Sequence, residues 1–396
     1  MALVLGLLSA IGPFAIDMYL PALPAIGTSL RADIGAVQMS LTAFFLSIGI
    51  GQLLYGPVSD MVGRRPPLYF GLVLFAVASV GCALATDVHT LIVLRFIQGL
   101  GAAAGMAIPR AVVRDLHTGT EAARLMSLLM LVFSVSPILA PLAGSLVIAI
   151  TGWRGVFWAV AIAAVAGMVL IATSLTETRP ASQRVESSLG SAFRAYARLL
   201  RDWHYLGLVF IGAFAMAGFF TYLANSSFVM IDHYGLSPTM YSVAFGVNAA
   251  SFIGMSQFTA PLGRRFGLVR VVKAGVIGCA IAMLAMFAFF ATGHDSMWVL
   301  LVLYFIASAF MGLVIPTTAV LALERHGAIA GTASALMGTL QMLAGAVTMG
   351  VVGLFTDGTP LPMVCGMAGG ALVAFVLTWM TLGGRRAHID NPVAAH

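Results

Sequence analysis

The sequence predicts an all-α membrane protein of twelve spanning helices in two six-helix halves. Three observations carry that expectation. The first is composition: the 396 residues are 60% hydrophobic and only 9% charged, where soluble domains carry about 25% charged residues. A soluble chain of this kind would hold far more apolar side chains than its core could bury. A cytosolic enzyme, a nucleic-acid binder and a disordered chain are thereby excluded. The second is that the apolar runs are continuous and about 20 residues long, the length of a bilayer-spanning helix; strands of a membrane β-barrel alternate over about ten. The third is that the one long polar stretch, 176–204, divides the runs six and six.

In order, the runs cover 3–26, 37–58, 67–86, 90–111, 123–149, 155–175, 205–229, 239–260, 271–291, 297–319, 330–355 and 361–382. Short breaks with turn chemistry part them, such as Thr151-Gly152-Trp153-Arg154-Gly155 and Thr356-Asp357-Gly358-Thr359-Pro360. The expected domains are an N-terminal half over 1–175, a cytoplasmic linker over 176–204 and a C-terminal half over 205–396 with a short cytoplasmic tail. Placing both termini inside puts 17 of the 20 Lys and Arg residues on the cytoplasmic side, from Arg64 and Arg65 to Arg385 and Arg386. Only Arg31 and Arg154 fall outside, and Arg95 lies within a span. This asymmetry is the positive-inside pattern, and it accounts for the net charge of +6 without a nucleic-acid partner. No cleavable signal peptide is expected, because there is no basic n-region and Asp17 interrupts the apolar stretch.

Cys82, Cys279 and Cys365 lie far apart within apolar runs, and the eight histidines fall at run ends, in loops or in the tail. Neither set has metal or disulfide spacing, and no metal or cofactor is expected.

The halves match at one place. Gly56-Pro57-Val58-Ser59-Asp60-Met61-Val62-Gly63-Arg64-Arg65 follows the second run, and Ala260-Pro261-Leu262-Gly263-Arg264-Arg265-Phe266-Gly267 follows the eighth. Pro57 aligns with Pro261 and Gly63 with Gly267. Internal repeats flanking a substrate site are a transporter signature.

These residues also carry a resemblance. Gly56-x-x-x-Asp60-x-x-Gly63-Arg64-Arg65 resembles the signature loop of the major facilitator superfamily. Leu91-x-x-x-Arg95-x-x-Gln98-Gly99 resembles its fourth-span motif, and Ser136-Pro137-Ile138-Leu139-Ala140-Pro141-Leu142-Ala143-Gly144 its fifth-span antiporter motif. Asp17-Met18-Tyr19-Leu20-Pro21-Ala22-Leu23-Pro24 resembles the first-span signature of the Bcr/CflA drug-resistance subfamily, and Tyr234-Gly235-Leu236-Ser237-Pro238 adds to it. Met61 stands where a basic residue is usual, Ala140-Pro141 replaces Gly-Pro, and the second-half loop has no acid matching Asp60. The resemblance implies the major facilitator fold, with its halves related by a pseudo-twofold axis, and drug:proton antiport.

Asp17 and Arg95 are the charged residues well inside spans, where charge is costly and functional by default. They lie at similar depth, and the resembled fold brings spans one and four to one cavity. Asp17 is the expected protonation site and Arg95 its partner in proton coupling; the alternative is a static pair that only joins two helices. Tyr19, Gln98, Phe219, Tyr222, Asn225, Asn248 and Gln341 are the expected substrate contacts, with interhelical packing as the alternative for each. Gly56, Asp60, Gly63, Arg64, Arg65 and Asp115 form an expected gating latch. In it, Asp60 caps the eleventh span near Gly331 and an arginine pairs with Asp115. Pro137 and Pro141 kink the fifth span and Gly144 permits close contact; the resemblance implies that the three form a hinge and a barrier to proton leak, with packing alone as the alternative.

The expected function is proton-driven export of small amphipathic drugs, neutral or zwitterionic and bicyclomycin- or phenicol-like, by a monomer in the lipid of the bacterial inner membrane. A metabolite exporter, for a sugar or amino-acid derivative, is the runner-up. An enzyme is not expected, since no nucleophile–base pair lies at membrane depth; no G-x-x-x-x-G-K-[ST] loop suggests ATP coupling.

Overall fold

A computed structural model describes residues 2–117, 119–179, 184 and 189–383. The expected cytoplasmic positions Arg385 and Arg386, and the tail beyond 383, lie outside the described residues, as does part of the 176–204 linker. Every regular element among the described residues is helical.

Span one starts as a helix, Ala2–Asp17, passes through a 3-10 turn, Leu20–Ala22, and resumes as Leu23–Leu30. The continuous run expected over 3–26 is therefore broken. Pro21 has no N–H for the Asp17 carbonyl and Pro24 none for that of Leu20, so the helix unwinds directly after the intramembrane acid. Spans two to six are Ile34–Val62, Arg65–Leu84, Val88–Leu116, Gly119–Thr151 and Trp153–Ser174. A linker helix, Leu189–Leu199, precedes span seven, Trp203–Ser227, which ends in a π turn, Phe228–His233. Span eight is Pro238–Ser256, followed by a short basic helix, Thr259–Phe266. Spans nine to twelve are Leu268–Ala291, Met297–Glu324, Ala330–Gly353 and Pro360–Leu382.

Local chemistry places the starts. The Asp33 and Asp87 carboxylates accept from the N–H groups of Ala36 (2.7 Å) and Thr90 (2.9 Å) at spans two and four. Asp202 and Ser237 cap spans seven and eight in the same way. The repeat is visible in the backbone: the aligned glycines Gly63 and Gly267 both turn at positive φ, +99° and +84°, a region open chiefly to glycine.

Eleven helices are long and apolar enough to cross a membrane. Span eight completes the expected twelve; it is 19 residues long and less apolar because it turns Tyr241, Ser242, Asn248 and Ser251 into the protein. Large apolar side chains such as Phe70, Val77, Ile150, Ile162, Ile281 and Met380 face outward, as a lipid-embedded surface requires. Spans two and eleven pack on each other, and so do spans five and eight. A twofold that exchanges the halves carries one pair onto the other. The loops after spans two and eight share one end of the bundle with most of the arginines; this is called the basic end below.

Candidate functional site

Between the halves lies a cavity of about 320 Å³, at the lower limit of volumes that take drug-sized ligands. Asp17 is its one carboxylate. The side chain is 5% exposed and accepts a hydrogen bond from the Ser136 hydroxyl at 3.2 Å. Aromatic rings form the opposing wall. Tyr222 stacks on Tyr304 with centroids 3.9 Å apart and lies 5.9 Å from Phe245, while Asn248 donates its amide to the Tyr222 oxygen at 3.2 Å. Five methionines, Met106, Met130, Met216, Met311 and Met342, complete much of the remainder. Thioethers are polarisable and conformationally adaptable, which suits a pocket that accepts differing shapes. On spans four, five, eight and ten the lining runs from mid-membrane toward the basic end.

The expected contacts divide. Phe219, Tyr222 and Asn248 line the cavity with Asp17; the other four are placed elsewhere. Tyr19 is buried behind it, its hydroxyl on Ser40 (2.7 Å). Gln98 bonds Arg95 (2.6 Å) and Ser79 (2.7 Å) within the N-terminal half. Asn225 accepts from Gln38 (2.8 Å) and Thr356 (3.0 Å) at the end opposite the basic one. Gln341 points toward Gly212. Tyr19, Gln98 and Gln341 lie within spans but on helix faces turned into the packing, and Asn225 lies beyond the cavity toward the opposite end. Tyr304, Met106 and Phe133 line the cavity and were not anticipated. The helical spacing of Tyr304, Ser308, Met311 and Ile315 along span ten is the signal that marks that face.

Arg95 does not meet Asp17. Its guanidinium carbon sits over the rings of Phe44 (4.0 Å) and Tyr19 (4.4 Å), while Nη1 donates to Gln98 and to the Ala15 carbonyl. Once the chain unwinds after Asp17, Tyr19 folds over the guanidinium and cation–π attraction holds it. Neither the facing pair nor its static alternative is present in this arrangement.

The expected latch is partly reproduced and partly redrawn. Arg64 binds both oxygens of Asp115, at 2.7 and 3.1 Å, and also Asp60 at 2.8 Å. Against the desolvation of burial, these acids hold the Arg64 guanidinium above its ordinary value. Asp60 does not cap span eleven; it binds Arg64 and Arg179 instead, and the side chain beside Gly331 is Arg114. The carboxylate that does cap a helix is Glu177, which accepts from the N–H groups of Arg64 (2.8 Å) and Arg65 (3.1 Å) at the start of span three. Burial pushes the Glu177 carboxyl up, but these N–H donors, that of Arg179, and Arg184 outweigh it and hold it below the usual range. Gly63 turns at φ +99°, which favours glycine, and a Cβ there would also push against the Glu177 carboxylate at 2.6 Å. Gly56 meets nothing within 4 Å, and close approach is not its role. The Arg65 side chain reaches Tyr69 rather than an acid.

On span five, Pro137 lines the cavity, and the Pro141 carbonyl accepts from the Ser242 hydroxyl at 2.9 Å. A Cβ on Gly144 would lie 2.4 Å from the Met18 carbonyl, so the glycine lets span five reach the break in span one.

Comparison with known proteins agrees with the fold. Residues 5–349 match the family described as the Major Facilitator Superfamily. An uncharacterized MFS-type transporter, YdgK, of Bacillus subtilis is 38% identical over 92% of this chain and 90% of its own. A bicyclomycin resistance protein homolog of Haemophilus influenzae is 29% identical over 97% and 96%, and a chloramphenicol resistance protein of Pseudomonas aeruginosa 31% over 90% and 84%. In fold the chain is similar to the crystal structure of a D-xylose-proton symporter, with a TM-score of 0.75 at 18% identity, covering 97% of this chain and 98% of that one.

Proposed function

The chain belongs to the Major Facilitator Superfamily, and on that premise we propose that it is a proton-coupled antiporter exporting small amphipathic drugs across the bacterial inner membrane. The carrying observation is the cavity itself: an apolar, aromatic and methionine-rich chamber with Asp17 as its one carboxylate. Relatives named for drug resistance support the same reading. The arginine-rich end is the cytoplasmic one, so the cavity receives drug from the cytoplasm or the inner leaflet. Asp17 sits where the helix has unwound and holds one hydroxyl partner. Opening to the more acidic outside loads its proton and releases drug; opening inward returns the proton and admits the next drug. Arg95, locked in its aromatic cage, braces span one against span four beside this site. The cavity volume and its few polar groups fit neutral or zwitterionic antibiotics of bicyclomycin or phenicol type.

Everted membrane vesicles with an imposed pH gradient test this. Uptake of such drugs is expected to rise with the gradient and to collapse when an ionophore dissipates it. Uptake indifferent to the gradient would exclude proton coupling.

A further inference from the structure

We propose that Arg110, with Arg114 one turn beyond it, is an anion-recognition site at the rim of the cavity, and that among the substrates of the export reading it favours zwitterions that carry a carboxylate at one end of an apolar body. This deepens the export reading and rests on it.

Met106, Arg110 and Arg114 stand at i, i+4 and i+8 on span four, hence on one helix face. Met106 lines the cavity, so the face that walls it continues toward the basic end as two cations. The Arg110 guanidinium carbon lies 5.4 Å from the centroid of the Phe133 ring, which also lines the cavity. That ring fixes the cation at the rim, yet Arg110 Nε is buried with no hydrogen-bond partner.

Among the described residues, neither Arg110 nor Arg114 forms an ion pair. The nearest acid in sequence, Asp115, is occupied by Arg64 and by the Thr178 hydroxyl at 3.2 Å. Asp60 and Glu177 are likewise engaged. Arg110 itself stands behind the lining, between Met106 and Phe133, and a guanidinium with an unpartnered N–H there has a directed donor left for a carboxylate that reaches the rim. Asp17 lies deeper, on span one. A zwitterion would enter with its cationic end toward Asp17 and its anionic end on Arg110.

The test is calorimetric binding of phenylhexanoate and of its methyl ester to the purified full-length protein in nanodiscs. In Arg110→Gln the dissociation constant of the carboxylate is expected to rise about tenfold, the scale of a charge-assisted hydrogen bond, with the ester unchanged. Arg110→Lys should retain part of the preference. Arg114→Gln, a more exposed site, should give a smaller loss of the same sign and serves if Arg110→Gln does not fold. Equal weakening of both probes, or no change in either, overturns the proposal. Nanodiscs with and without anionic phosphatidylglycerol separate the two sources of anion. If a lipid phosphate occupies Arg110, the carboxylate preference will vanish in anionic discs, and the substrate assignment falls. Binding is read without transport, so failure here leaves the vesicle test of export standing, and failure of export leaves this measurement interpretable.

Discussion

At the basic end an ionic network ties the loops of spans one to six to the start of the linker: Arg64 with Asp60 and Asp115, Arg179 with Asp60, Glu177 on the N–H groups of Arg64 and Arg65. At the opposite end the bonds that cross between the halves are neutral: Gln38 of span two to Asn225 of span seven, and Ser242 of span eight to the Pro141 carbonyl of span five. The difference separates two tasks. Bonds within one half survive a rocking motion of the halves and stabilise the fold without selecting a state. Bonds that cross must break each time the opposite end opens. A neutral hydrogen bond, worth about 0.5–1.5 kcal/mol net, suits that use; parting a desolvated ion pair would cost about 3–5 kcal/mol.

The largest expected effect follows from Arg64, which is 3% exposed. Arg64→Ala removes the cation from Asp115 and Asp60, leaving Asp115, among the described residues, with the Thr178 hydroxyl alone, and should lower stability by roughly 3 kcal/mol. Thermal unfolding in detergent reads this. Cysteine labelling at the opposite end should be unchanged, and a large change there would break the distinction between the ends. Gln38→Ala should do the converse. It costs stability only by about 1 kcal/mol but raises labelling of a cysteine placed beside Asn225 several-fold. Unaltered labelling would mean that the seal lies elsewhere.

The smallest effect is in pH. At the opposite end Asp295 joins His233, at 2.6 Å, and the Tyr234 hydroxyl. Burial, the largest single influence, pushes its carboxyl up, and these two partners together outweigh it and hold the carboxyl below the usual range. A carboxylate held low stabilises the fold above its unfolded value and loses that contribution as pH falls through its folded value. The Tm difference between wild type and Asp295→Asn should therefore be present above about pH 4 and shrink below it. A difference that grows with acid would contradict the assignment.

Much of the architecture was legible in the sequence because it depends on one-dimensional features. Run length gives spans, arginine placement gives the basic end, and the aligned glycines at 63 and 267 give the repeat. The site was legible in depth but not in direction. Asp17 stands out because charge at membrane depth is costly. Tyr19, Gln98 and Gln341 lie within their spans as Asp17 does, and only packing decides that they turn away from the cavity; Asn225 lies nearer the end of its span, bonded to Gln38 and Thr356. The unwinding of span one decides the fate of Arg95 as well, by swinging Tyr19 between it and the acid's neighbourhood. Methionine numbers 22 in this chain, but composition alone does not show that five of them converge on one chamber. Glu177 was missed because its partners are backbone N–H groups, which no side-chain pattern advertises.

The most direct measurement is proton release from lightly buffered, purified protein when drug is added, for wild type and for Asp17→Asn. The wild type is expected to release protons as drug binds, whereas Asp17→Asn should still bind drug and release none. An Asp17→Asn protein that binds drug and releases protons as the wild type does would contradict the account.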